Sequence, residues 1–213
     1  VWNGISVLAE VMKISHAEEL LETQGIVSLY KYMKKLYDKS ANTKVKAVKR
    51  IVTDPLFKEA FAKTEDLYER GVHHPKIEEL KTIVRKELKS DPDTKMLIFN
   101  QYRASSVETA RRLNQIENID AEVFVGQTKK GGIGLTQKEQ KEMLDRFRND
   151  EINILVATSV GEEGLDIPAV PLVVFYEPIP SAIRHIQRRG RTGRQEEGRV
   201  IVLMAKDTRD EAY

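Results

Sequence analysis

Five short apolar runs constrain this chain more than anything else in it: Met96–Phe99, Ala121–Val125, Ile152–Ala157, Leu172–Tyr176 and Arg199–Met204. Most are continuous rather than alternating, as expected of strands covered on both faces. Segments with helical spacing separate them, and two open on apparent capping boxes, Ser105-x-x-Glu108 and Thr136-x-x-Glu139. A further helix is expected from about Ser181. Strand–helix alternation of this kind predicts an α/β fold, a parallel sheet with helices on both faces.

The first 75 residues read differently. Ile26, Leu29, Tyr30, Met33, Leu36 and Tyr37 fall at i, i+3, i+4 and i+7, one apolar stripe of a helix. Ile5, Leu8 and Met12, then Leu20 and Leu21 past a break in register, support an earlier helix ending near Gly25. A boundary follows at Glu69-Arg-Gly-Val-His-His-Pro75, where Pro75 suits the first position of a new helix carried on by Ile77, Leu80, Val84 and Leu88. The expected organisation is a small all-helical domain over residues 1–75 and an α/β domain over residues 76–213. The opening Val1-Trp-Asn-Gly lacks an initiator Met and reads as the start of a piece of something longer.

Between Lys31 and Arg50 stand eight basic residues and one acid, Asp38. Two readings stay open. Lys34, Lys35, Lys46 and Lys49 with their neighbours could follow a nucleic-acid backbone, driven by counterion release, or they could keep a helical hairpin soluble. Tyr30 and Tyr37 lie on the apolar stripe and read as core, not as base-stacking platforms.

Composition excludes several classes. The chain is 40% hydrophobic and 32% charged, with no apolar run long enough to cross a bilayer and no signal-peptide pattern. It has no cysteine, so neither disulfides nor thiolate metal sites are available. A cytoplasmic protein is expected, nucleoid-associated if prokaryotic, with no membrane partner. His73 and His74 read as linker residues, and no metal site is expected in the chain.

The densest chemistry lies near the end. In Gln187-Arg188-Arg189-Gly190-Arg191-Thr192-Gly193-Arg194 four arginines fall within seven positions, two glycines interrupt them, and no acid follows until Glu196. Guanidinium forks match phosphate oxygens, and glycines let a ligand approach the backbone. Upstream, the Ile152–Thr158 run leads into Ser159-Val-Gly-Glu-Glu-Gly-Leu-Asp-Ile-Pro168, a Gly-rich acidic turn. Parallel sheets bind ligands in the loops after the carboxyl ends of their strands. A phosphate-handling cleft is the reading these parts share.

Together these segments resemble superfamily 2 helicases. Ala157–Pro168 looks like motif V of that family, and the Gln187–Arg194 run like motif VI. Leu97-Ile-Phe-Asn-Gln-Tyr102 resembles motif IV, and Val125-Gly-Gln127 the short motif after it. Such proteins work with two RecA-like domains, and this chain is similar to the second only. Gly126-Gln-Thr-Lys-Lys-Gly131 is no P-loop, since Gly132 stands where the lysine belongs. Asp210-Glu-Ala-Tyr213 resembles the magnesium-binding acidic box, but Ala205–Arg209 separates it from the last strand. The resemblance therefore implies that ATP with Mg2+ is bound mainly by an N-terminal RecA domain of the same polypeptide, and that this chain alone does not hydrolyse it.

Carried over by position, the resemblance makes Arg191 and Arg194 arginine fingers toward the γ-phosphate, with Gln187 positioning them or the attacking water. Gly164 and Asp166 would contact the ribose or orient the fingers. Gln101, Arg103, Gly126, Gln127, Thr158 and Ser159 would touch the nucleic-acid backbone. A helical insert joined through His74-Pro-Lys-Ile-x-x-Leu80, and the stretch Gly132–Lys141, are similar to the archaeal Hef family and its FANCM relatives. That implies the motor half of an ATP-dependent DNA helicase or translocase on forked or branched DNA, its insert thumb-like. RNA-directed helicases of the RIG-I and Dicer type have a comparable insert and stay open. So does a nucleic-acid-binding module without ATPase function.

Overall fold

The computed structural model of the chain describes residues 2–126, 134–158, 167–178 and 198–212. They fall into two compact units, Val1–His74 with Asp207–Arg209, and Pro75–Lys206 with Asp210–Tyr213.

The helical unit contains α1 (Trp2–Gln24), α2 (Ile26–Ser40), α3 (Lys46–Thr53) and α4 (Pro55–Glu69). α1 ends at Gly25, which takes φ +85, a backbone conformation that favours glycine. A Cβ added there would stand 2.8 Å from His74 Cβ, so the position is closed to side chains twice over. α4 starts where its sequence dictates. Asp54 caps it, accepting from the Leu56 and Phe57 N–H groups at 2.8 and 3.4 Å, and Pro55 occupies the first helical position. Leu29, Met33 and Leu36 of α2 close a core with Val48, Ile51 and Val52 of α3 and Phe57 of α4. Tyr30 stacks on Tyr68 with ring centroids 4.2 Å apart, and Tyr37 packs on Phe57 and Phe61. Both tyrosines are thus engaged in packing.

α1 is the helix expected to end near Gly25, a single 23-residue element on which Ile5, Leu8 and Met12 are 58–65% exposed within this unit. Leu20 is the side chain α1 buries most deeply among the described hydrophobics.

The second unit has α5 (Pro75–Ser90), β1 (Met96–Asn100), α6 (Arg103–Leu113), β2 (Ala121–Phe124), α7 (Gln137–Arg148), β3 (Ile154–Thr158), β4 (Leu172–Phe175), β5 (Arg199–Val202) and a 3-10 turn, Arg209–Ala212, whose first residue belongs with the helical unit. All described strand pairs are parallel, in the order β2-β3-β1-β4-β5. β1, β3 and β4 are buried at every residue, whereas β5 at the end of that order is only partly covered.

Side-chain alternation sorts the core into two layers. Met96, Ile98, Ile154, Val156, Leu172 and Val174 meet Ile77, Leu80 and Val84 of α5 and Ala110 and Leu113 of α6. Leu97, Phe99, Leu155, Ala157, Val173 and Phe175 meet Met143, Leu144 and Phe147 of α7. The sheet is covered on both faces, as its continuous apolar strands predict.

The two capping boxes part company. Thr136 caps α7 as expected: its side chain accepts from the Glu139 N–H, and Glu139 accepts from the Thr136 N–H. Ser105-x-x-Glu108 does not open its helix. α6 starts three residues earlier than that box implies, with Tyr102 at its N-cap, Ser105 is buried in the first turn, and Glu108 binds Arg111 and Arg112. The helix expected from Ser181 lies outside the described residues.

Candidate nucleic-acid interface

Because all described strands run parallel, their carboxyl ends share one edge, where ligands approach sheets of this kind. β1 and β3 end level there, Asn100 beside Thr158. The turn after β1 carries Gln101, which is exposed, and Arg103, half-buried in the first turn of α6. Arg103 Nη2 donates to the Gly126 carbonyl at 3.2 Å, so the residue that follows one sequence motif meets a residue of the next. The chain before Gly126 is fixed from the opposite layer: Gln140 of α7, 3% exposed, donates to the Val125 carbonyl at 2.9 Å.

Beneath this rim Thr158 is joined by a buried polar side chain with no sequence signal of its own, Asn100. Asn100 is 0% and Thr158 2% exposed. Asn100 Nδ2 donates to Thr109 Oγ1 at 3.2 Å, which ties the end of β1 to α6. Asn100 Oδ1 and Thr158 Oγ1 are buried with no hydrogen-bond partner among the described residues. Such atoms are uncommon and cost free energy unless something completes them. Glu177, just past β4 and 2% exposed, accepts the Gln101 N–H through Oε1.

Of the predicted contact residues, Gln101, Arg103, Gly126 and Thr158 therefore collect at one edge of the sheet. Gln101 and Arg103 reach its surface, whereas Gly126 and Thr158 are buried. Gln127, Ser159, Gly164, Asp166, Gln187, Arg191 and Arg194 lie outside the described residues.

In the helical unit the basic run divides. Lys31, Lys34, Lys35 and Lys39 of α2 line a groove of about 640 Å3 with Asp38, Asn42 and Thr43. Lys34 Nζ stands 5.9 Å from the Tyr30 ring centroid. Lys46 and Lys49 are exposed on α3, whose other face buries Ala47, Val48, Ile51 and Val52, and they do not line that groove. Arg50 is held by Glu10 of α1 at 3.2 Å.

Besides Glu177, the charged residues buried most deeply are elsewhere. Lys76 and Asp210, with side chains 5% and 1% exposed, form an ion pair at 2.6 Å. Lys76 also sits 4.9 Å from the Tyr176 ring centroid. Burial pushes the Lys76 ammonium below the usual lysine range, against the opposing pull of Asp210 and Glu177. Burial, reinforced by Glu177, Asp210 and Glu108, holds the Tyr176 phenol far above its usual range. Asp210 Oδ2 additionally accepts the Ala205 N–H at 2.9 Å. Among the described residues no three His, Cys, Asp or Glu side chains gather as a metal site. His74 Nε2 is instead 2.8 Å from the Glu22 carbonyl oxygen. Nor is any described helix long and apolar enough to cross a membrane.

The profile of the helicase conserved C-terminal domain family matches residues 75–196. A second profile, the helical bundle of a putative ATP-dependent RNA helicase, matches residues 5–71. Over 98% of its length the chain is 44% identical to a putative ATP-dependent RNA helicase of Methanocaldococcus jannaschii, of which it covers 26%. It is 34% identical, again over 98% of its length, to the ATP-dependent DNA helicase MPH1 of Coccidioides immitis, of which it covers 20%. The solved structure of the Pyrococcus furiosus Hef helicase domain is similar at a TM-score of 0.75 and 50% identity, over 96% of this chain and 41% of that one. The chain thus spans about a quarter or less of the curated relatives it matches.

Proposed function

Because this chain belongs to the helicase conserved C-terminal domain family, we propose that it is the C-terminal motor half of an ATP-dependent DNA helicase or translocase. Its substrate on this reading is forked or branched DNA. The observation that carries the reading is the gathering of Gln101, Arg103 and Gly126 at the carboxyl edge of the parallel sheet. Contacts from such positions hold a strand by its backbone without reading its sequence. The likeness to the ATP-dependent DNA helicase MPH1 of Coccidioides immitis across nearly the whole chain, helical unit included, favours DNA.

ATP with Mg2+ supplies the energy, and the described residues offer neither a P-loop lysine nor a carboxylate site for the metal. Both are assigned to an N-terminal RecA domain of the full-length protein. Arg191 and Arg194, with Gln187 beside them, neutralise charge developing on the transferring phosphoryl, a role worth about 10³–10⁵ in rate where it has been dissected. Gly164 and Asp166 orient them or hold the ribose. Gln127, Thr158 and Ser159 complete the backbone contacts, and the lysines of the helical unit add a thumb-like grip. The division into a helical domain over 1–75 and a RecA-like domain over 76–213 is part of the same proposal.

An RNA-directed motor is the second reading, favoured by the RNA-helicase description of the bundle that matches residues 5–71. One assay separates the two. ATP turnover by the full-length protein is measured with forked DNA and with duplex RNA at equal ionic strength. Stimulation by forked DNA supports the first reading, stimulation by duplex RNA alone supports the second, and stimulation by neither removes both.

A further inference from the structure

The motor reading leaves a buried line of charge in the α/β unit without a task. It begins at Lys76, in the first turn of α5, paired with Asp210 at 2.6 Å. Lys76 also lies over the ring of Tyr176 and is attracted by Glu177. Glu177 in turn accepts the main-chain N–H of Gln101. Side chains from the start of α5, from just past β4 and from the C-terminal turn are thus linked, and Glu177 among them holds the peptide unit where β1 gives way to its ligand-facing turn.

An ordinary strand end needs none of this. A turn N–H at a sheet edge is readily satisfied by water or a carbonyl, while burying carboxylates and an ammonium is costly, and apolar packing often replaces such groups without loss of stability. Something beyond stability therefore favours a buried carboxylate at this N–H. A charged acceptor binds an N–H about twice as strongly as a neutral one, and so fixes the plane of that peptide. Asn100, bonded to Thr109 of α6, pins the preceding residue. Between the two, the turn has little freedom, and the directions in which Gln101 and Arg103 leave the backbone are set.

We propose that Glu177, through its hydrogen bond from the Gln101 N–H, is a positioning residue for the nucleic-acid contacts of residues 101–103. The inference rests on the reading that this turn touches a nucleic-acid backbone. It carries a sign that plain electrostatics would reverse. Removing a carboxylate near a polyanion strengthens binding if charge alone matters, but weakens it if the carboxylate's task is to aim the turn.

The test is the binding of fluorescein-labelled oligo(dT) to the 213-residue chain, by anisotropy across a salt series. Arg103→Ala, Glu177→Ala and Glu177→Gln are compared with the unaltered chain. Arg103→Ala should flatten the salt dependence by roughly 0.7 in slope, the share of one phosphate contact on a single strand. Glu177→Ala should weaken binding and flatten the slope to a similar degree, and Glu177→Gln, which keeps an acceptor oxygen without its charge, should restore part of both. An unchanged slope for Arg103→Ala overturns the underlying reading of this edge. An unchanged slope for Glu177→Ala, tighter binding by it, or failure of Glu177→Gln to restore any of the lost binding overturns the positioning role alone. Should Glu177→Ala not fold, the Gln101 amide proton decides: strong exchange protection is expected in the unaltered chain and in Glu177→Gln, and rapid exchange in either refutes the hydrogen bond on which the role depends.

Discussion

Replacing Lys76 with Met should be among the most damaging single changes to the α/β unit. At 2.6 Å an ion pair gains about 6 kcal/mol at an effective dielectric of about 20. Desolvating two ions costs several kcal/mol each, so the intact pair contributes little net stability. Removing one partner is another matter, because Asp210, 1% exposed, is left as an uncompensated buried charge. The expected loss is about 3–5 kcal/mol, set against a total of about 5–15 kcal/mol for a typical domain. With a urea m-value of about 2 kcal/mol/M, the midpoint falls by about 1.5–2.5 M. Asp210 has a second duty, accepting the Ala205 N–H, so its partner substitution must keep an oxygen there. Lys76→Met with Asp210→Asn meets that condition and should recover at least half of the loss. Urea unfolding followed by far-UV circular dichroism measures all three chains. A single variant within about 0.5 kcal/mol of the unaltered chain, the range of ordinary surface substitutions, would refute the reasoning. So would a double variant no more stable than the single one.

Gly25→Ala should destabilise the helical unit by more than the roughly 1–3 kcal/mol of a non-glycine residue held at this φ and ψ, since its Cβ also meets His74; an unchanged thermal midpoint would contradict this. Glu108 supplies a pH dependence. Burial raises its pKa, but hydrogen bonds and charge from Arg111 and Arg112 outweigh that and hold it below the usual carboxylate range. Its contribution is therefore present above the unfolded value of about 4.3 and lost as pH falls through the lower folded value. Glu108→Gln should remove that part of the acid slope in unfolding experiments from pH 5 downward. Replacing Lys31, Lys34, Lys35 and Lys39 with Gln should flatten the salt dependence of duplex DNA binding by roughly 0.9 in slope for each phosphate no longer neutralised. The pair Lys46 and Lys49, outside that groove, should be tested separately; a salt slope unaltered by either set would return these lysines to a solvated face.

How far the sequence could be read depended on how local each signal was. The buried strands announced themselves because both faces of the sheet are covered, which makes β1, β3 and β4 apolar almost throughout. Thr136 and Glu139 were legible because a capping box is complete within four residues. Ser105 and Glu108 show the limit of that logic. The true start of α6 carries no side-chain cap, so the nearest matching pattern lay inside the helix. In α1 the apolar spacing announced the helix and its end near Gly25, while Ile5, Leu8 and Met12 are exposed within their unit. Spacing reports which residues share a face, not whether anything covers it.

At the site, Gln101, Arg103 and Gly126 could be named from short motifs, but the bond between Arg103 and Gly126 spans 23 positions and became visible only in the fold. Lys76 and Asp210 are 134 positions apart. Asp210 drew notice only as part of an acidic box rejected on its spacing, and its partner stood in a stretch read as a helix start. Glu177 follows a strand with nothing to mark it as buried. Long-range pairs of this kind leave no periodic trace, and burial alone makes them meaningful.

Hydrolysis of ATP by the full-length protein tests the central claim most directly, with Arg191→Ala beside the unaltered protein and the isolated 213-residue chain as a third sample. The isolated chain should show no turnover above background with or without forked DNA. In the full-length protein, Arg191→Ala should lower kcat steeply while ATP binding stays near its original strength, because a group that acts on transition-state charge is felt in kcat more than in KM. Magnesium-dependent turnover by the isolated chain that Arg191→Ala abolishes, or a full-length Arg191→Ala that hydrolyses ATP at the original rate, would contradict the account.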